Sequence, residues 1–124
     1  MAGVEVSLKE MMAGIEGSMA AAVVDYTSGM ALGTLGGDKD LDVTVAAAGN
    51  TDVIRAKLRT MEQLGLKARI EDILITLERQ YHLIRPVAGR NGNGLFLYLV
   101  LDKARSNLAM ARHQLKRVEE HLEV

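Results

Sequence analysis

Three glycines, Gly89, Gly92 and Gly94, crowd the stretch GRNGNG ahead of an apolar run from Leu95 to Leu101. Glycine density of that kind can cradle a phosphate, but only between a strand and the N-terminus of a helix, whose free amides and dipole hold the anion. Here a strand pattern follows the glycines, and no Lys-Ser or Lys-Thr pair comes after them. Asn91-Gly92 is instead a dipeptide suited to a primed hairpin turn, which needs positive φ angles. The spacing predicts a turn and no nucleotide site.

The other chemistry-bearing residues fail on spacing. His82, His113 and His121 are the only histidines. The last two fall eight residues apart on one helical pattern, about 12 Å, too far to share a metal. His82 falls in a strand pattern with no second ligand near, which predicts a solvated or core-edge role. Glu71-Asp72 and Glu119-Glu120 are adjacent pairs, and neighbours in a strand or helix point in different directions. General acid–base work needs two groups converging on one cavity. Ser7, Ser18, Ser28 and Ser106 have neither an adjacent base nor a nucleophile-elbow context. There is no cysteine, hence no disulfide or thiolate. The expectation is a protein with no catalytic residue, no metal and no cofactor.

The composition supports that expectation. The 124 residues suit a single domain, taken as 1–124 with its core over about residues 8–122. Apolar residues make up 48% and charged residues 25%, the balance of a soluble globular protein. Fifteen basic against sixteen acidic residues leave a net charge of −1, no electrostatic reason to expect nucleic acid. The opening MAGVEVSLKE has neither the basic segment nor the apolar core of a signal peptide. The longest apolar run falls well short of the ~20 residues a membrane helix needs. The expected location is the cytoplasm, with no membrane insertion.

The elements follow from periodicity. Ser7 and Glu10 fit a capping box opening a helix over residues 8–16, with Leu8, Met11, Met12 and Ile15 as its stripe. Residues 19–26 and 30–35 read as two strands of a hairpin around Gly29. Residues 41–63 turn helical, with Val43, Ala46, Ala47, Asn50, Val53, Ile54, Leu58, Met61 and Leu64 on one broad side and Gly65 as the stop. A second, narrower stripe carries small residues: Val45, Ala48, Gly49, Asp52 and Ala56. Residues 69–77 and 81–87 read as strands joined by the turn Glu78–Gln80, with Pro86 tolerable late in its strand. Leu95–Leu101, apolar at every position, reads as a strand covered on both faces. Residues 103–122 read as an amphipathic helix that buries Ala104, Leu108, Ala111, Leu115, Val118 and Leu122 and keeps Lys116, Arg117, Glu119 and Glu120 wet. Met11, Met12, Met61 and Met110 serve as core filler.

What stands out is surface. IEDILITL is a long apolar strand with neither proline nor lysine inside it, hazardous at a sheet edge unless something pairs with it. The small-residue stripe would let another helix approach closely. A second copy related by two-fold symmetry covers both features.

The order of elements, with AAAVVDYTSGMALG (Asp25 and Gly29) and LVLDKARSNLAMARHQL (Asn107, Leu108, Ala109, Ala111 and Arg112), resembles the roadblock family, named for a dynein light chain and including bacterial regulators of Ras-like GTPases. The resemblance implies an α+β fold of profilin-like, roadblock architecture. Its five-stranded antiparallel sheet runs 2-1-5-4-3, with one helix on one face and the first and last on the other. It implies a homodimer joined through Ile70, Ile73, Leu74, Ile75 and Leu77 at the edge strand, with Val45, Ala48, Gly49, Asp52 and Ala56 near the axis. It implies a non-catalytic scaffold that binds a Ras-like small GTPase; Arg55, Arg59 and Glu62, which flank the small stripe and project away from the sheet-facing side of their helix, are the residues best placed to contact that partner. A small-ligand-sensing module with a pocket between sheet and helices is the other reading, against which the aromatic content is only 3%.

Overall fold

The computed structural model describes residues 2–88 and 94–123. In chain order the elements are α1 (Val4–Gly14), β1 (Ser18–Asp25), β2 (Met30–Gly36), α2 (Val43–Gln63), β3 (Ile73–Thr76), β4 (Gln80–Pro86), β5 (Leu95–Asp102), a 3-10 turn (Lys103–Arg105) and α3 (Leu108–His121). The five strands form one antiparallel sheet in the order β2-β1-β5-β4-β3, the expected topology.

β5 runs through the middle because every side chain from Leu95 to Leu101 can be buried. Its alternation divides the core in two. Leu95, Leu97, Leu99 and Leu101 join Leu8 and Met11 of α1, Ile15 just after it, and Ala111, Leu115 and Val118 of α3 on one face. Phe96, Tyr98 and Val100 join Val43, Ala47 and Ile54 of α2 on the other. β4 and β5 pair antiparallel as far as Pro86 opposite Phe96, so the glycine stretch joins two strands and does not open a helix. The Asn91-Gly92 turn itself lies outside the described residues.

Local chemistry sets the ends of α2. Asp42 Oδ1 accepts the amides of Thr44 and Val45 at 3.0 and 3.2 Å, satisfying donors a helix start leaves free. At the far end Gly65 takes φ +69°. Its amide bonds the Glu62 carbonyl and the Leu66 amide bonds Met61, the paired closure that a left-handed residue permits. The expected stop is in place.

Several boundaries differ from the sequence reading, each for a local reason. α1 opens at Gly3, not Ser7. Val4 extends the apolar stripe one turn backwards and packs over Gly33, where a Cβ would strike Val4 Cγ1 and Leu8 Cδ1 at 2.8 and 2.9 Å. Ser7 therefore lies inside the helix, fully buried, its hydroxyl without a partner among the described residues. The last helix does not run unbroken from residue 103. Asp102 caps a 3-10 turn and Asn107, whose Oδ1 accepts from Met110, caps α3, with extended backbone at Ser106 between them. Ala104 is consequently exposed, as is Met110, and neither is core. Val53 and Leu58 on α2, and Leu64 just past its end, are also exposed, because the helix lies mainly over β1 and β2. Glu119 is buried, not wet. The edge strand is shorter than expected, four residues from Ile73, with residues 66–72 neither helix nor strand.

Candidate interaction surface

The small-residue stripe of α2 faces away from its own sheet. Val45, Ala48, Gly49, Asp52 and Ala56 are all exposed, Val45 by 67%. A Cβ at Gly49 would meet nothing within 4 Å, so no contact inside the chain requires glycine there. Beside this stripe a groove of about 640 Å³ separates α2 from β3, lined by Val53, Ala56, Lys57, Thr60, Asp72 and Ile73. Its far wall is the edge strand. Ile73 and Ile75 turn to the α2 face and Leu74 to the other, and all three are half-buried. β3 pairs with β4 alone among the described residues. Of the flanking residues expected in the same strip, Ile70 sits in the irregular segment before β3 and Leu77 in the turn after it, exposed.

The opposite edge is built differently. Along β2 the register with β1 slips, Val23 facing Gly33 and Val24 facing Ala31, which leaves Leu32 as an extra residue. Such a bulge bends an edge and interrupts its pairing surface. β3 has no such interruption.

The charged residues of α2 divide. Arg55 donates from Nε to the Tyr26 carbonyl at 2.8 Å and from Nη2 to the Thr27 carbonyl at 2.7 Å, tying the helix to the β1–β2 loop. Asp25 organises the same loop, its Oδ1 accepting the Thr27 hydroxyl at 2.6 Å and amide at 2.8 Å, while Gly29 closes it with φ +81°. Those bonds from Thr27 hold the Asp25 carboxyl below its ordinary range. Arg59 and Glu62 are exposed, and their side chains make no hydrogen bond or ion pair among the described residues.

Two ion pairs escaped the sequence reading because their partners are far apart in the chain. Arg85 Nε donates to Glu119 Oε1 at 2.6 Å, and Glu119 Oε2 accepts the Ala88 amide at 3.0 Å. An arginine inside an apolar strand was the available signal, since a buried guanidinium demands an acceptor. Arg112 grips Asp72 through two hydrogen bonds, 2.9 and 3.1 Å. For this pair, no spacing rule could link residues forty positions apart.

The histidines take the positions expected of them. His82 is half-buried on β4, where the Tyr98 hydroxyl donates to Nδ1 at 2.9 Å and Nε2–H donates to Gln80 Oε1 at 2.8 Å, an arrangement that satisfies the neutral ring. Burial pushes the His82 pKa below its usual value and that of the Tyr98 hydroxyl above its own. His113 and His121 are exposed. Among the described residues no three His, Cys, Asp or Glu side chains gather in a way that could hold a metal, and no helix is long and apolar enough to cross a membrane. At the centre of the two layers Met11, Ile54, Phe96, Tyr98 and Leu115 are at 1% exposure or less. A cleft of about 420 Å³ between α1 and β2, lined by Val4, Leu8, Leu32 and Leu35, lies on the outside.

Strand order, layering and helix placement match known structures over nearly the whole chain. A roadblock/LC7 domain from Streptomyces avermitilis superposes with a TM-score of 0.79 at 11% identity, covering 96% of this chain and 93% of that one. The chain has the roadblock fold. MglB of Myxococcus xanthus gives 0.72 at 14% identity, covering 93% and 77% of the two chains. A structure described as MglB with tetrameric arrangement gives 0.78 at 20%, covering 94% and 82%. No family model matches the chain, and no curated protein matches it in sequence. The roadblock likeness is therefore one of shape, carried by buried patterning and turn chemistry that many sequences satisfy.

Proposed function

We propose that this roadblock-fold chain is a non-catalytic homodimer that binds a Ras-like small GTPase in the cytoplasm, recruiting it or modulating its nucleotide cycle. The observation that carries the reading is one continuous uncovered strip, in which the stripe of α2, the groove beside it and the β3 edge adjoin. An unpaired edge strand is a template for another chain, and exposed apolar residues such as Val45 and Val53 gain from being covered. A second copy on a two-fold axis covers all three parts at once. The bulge that blunts β2 favours β3 as the joining edge. Self-association on this scaffold is also supported by the neighbour described in a tetrameric arrangement.

The GTPase half of the proposal comes from the family resemblance, in which dimeric platforms receive small GTPases. Arg59 and Glu62, exposed and unengaged beside the stripe, are the residues proposed to contact that partner. Arg55 is proposed with them, acting also through the β1–β2 loop whose carbonyls it holds.

Light scattering on the native chain and on Gly49→Arg tests the dimer. Space around a Gly49 side chain is open within one chain, so the variant should fold and fail only where a second helix approaches. The native protein should be dimeric and the variant smaller or aggregated. A normal dimer in the variant would place the interface elsewhere, and a native monomer would remove the proposal.

A further inference from the structure

Asp72 is the residue immediately before β3, and its carboxylate is mostly buried, at 15% side-chain exposure. Arg112 reaches it from α3, on the face of the sheet opposite α2. Nε donates to Oδ2 at 2.9 Å and Nη2 to Oδ1 at 3.1 Å, the two-pronged contact that an arginine fork makes with a carboxylate and a lysine cannot reproduce. Asp72 has no other ion-pair partner among the described residues, although Lys57 lines the same groove from α2.

The position of this contact gives it a consequence. β3 has four residues and, among the described residues, pairs on one side only. Its end is fixed by the turn in which the Leu77 amide bonds the Gln80 carbonyl at 2.9 Å. Its start follows seven residues, 66–72, that belong to no helix or strand. At that start Ile73 pairs with Ile84 and packs on the α2 side, and the Arg112 contact ties the residue before it to α3.

We propose that Arg112 is a positioning residue for the dimer edge, its grip on Asp72 fixing where β3 begins and so the register in which a second copy pairs with it. The inference rests on the dimer reading above. Register matters because side chains alternate. A slip of one residue would send Ile73 and Ile75 to the wrong face and present Leu74 and Thr76 in their place. Against such a slip the strand has its four pairs with β4 and the packing of Ile73, Leu74 and Ile75, and the Asp72–Arg112 contact adds a fixed point at its start.

Two measurements on the full chain test this. The first is the dimer dissociation constant by sedimentation equilibrium. The second is amide hydrogen exchange at residues 73–76 against that of β1 and β5. Arg112→Ala should weaken the dimer about tenfold and speed exchange in β3 by a similar factor, as loss of a partly exposed charged hydrogen-bonded pair predicts, leaving β1 and β5 unchanged. Arg112→Lys should recover only part of the loss. The exchanged pair Arg112→Asp with Asp72→Arg should recover most of it, which a general packing role for Arg112 would not allow. Native affinity and native β3 exchange in Arg112→Ala, or faster exchange throughout the chain, would overturn the assignment. A native chain that stays monomeric at every concentration would remove the dimer reading itself, and the pairing role with it. A dimeric native chain with an indifferent Arg112→Ala would remove the positioning role of Arg112 alone.

Discussion

Replacing Glu119 by alanine leaves the Arg85 guanidinium buried in the sheet–α3 layer with no carboxylate to face. The two side chains are 8% and 9% exposed, so water screens the loss little. Removing one partner of a buried ion pair costs about 3–5 kcal/mol, because the remaining charge keeps its desolvation penalty. A chain of 124 residues unfolds with an entropy of about 0.26 kcal/mol/K, so each kcal/mol moves Tm by about 4 °C. The expected fall in Tm is therefore about 12–20 °C by differential scanning calorimetry. The double variant Arg85→Met with Glu119→Leu removes both charges and keeps apolar volume. It should recover most of the loss, short by about 1 kcal/mol for the Ala88 amide that no longer has its acceptor. A fall below about 4 °C for the single variant, or a double variant as unstable as the single, would refute the reasoning.

Three further outcomes follow from the same structure. Burial holds His82 neutral, with its folded pKa below the usual 6.5. Its contribution to stability is complete above that value and declines as pH falls towards the lower folded pKa. Urea titrations at a series of pH values should show this acid slope reduced in His82→Gln relative to the native chain; equal slopes would contradict it. Gly65→Ala places a Cβ in open space at φ +69° and should cost about 1 kcal/mol from backbone strain alone, read from the urea midpoint. Gly49→Ala, also in open space but inside a helix, should instead stabilise the monomeric unit by about 0.5–1 kcal/mol, measured at concentrations below dimerisation.

The parts of the fold legible in the sequence are those written in short-range chemistry. The unbroken apolar run at Leu95–Leu101 announced a central strand, and Asp25 with Gly29 and then Gly65 announced turns whose geometry few residues accept. The strand order came with the family likeness, because pairing across the sheet leaves no local mark. The misreadings have a common origin in tertiary context. Ser7 looks like a cap until Val4 finds Gly33 to pack on. Glu119 looks wet until Arg85 arrives from a strand 34 residues earlier. Residues 103–122 look like one helix until two capping side chains, Asp102 and Asn107, compete for its start. At the interaction surface the small stripe was visible as pattern, and the structure leaves it exposed. The outward position of Arg55 is legible from the helical pattern, but its bonds to two main-chain carbonyls depend on where the β1–β2 loop folds.

Partner recognition is the step on which the proposed function depends, and titration calorimetry measures it directly. The chain is titrated against each Ras-like small GTPase of its own organism, loaded with GDP or with a GTP analogue. In parallel runs the double variant Arg59→Ala with Glu62→Ala replaces it; Arg55 is left intact to preserve the β1–β2 loop. Nucleotide-dependent binding to at least one GTPase is the expected result, weakened in the variant while light scattering still reports a dimer. Absence of binding to every GTPase in either nucleotide state would contradict it.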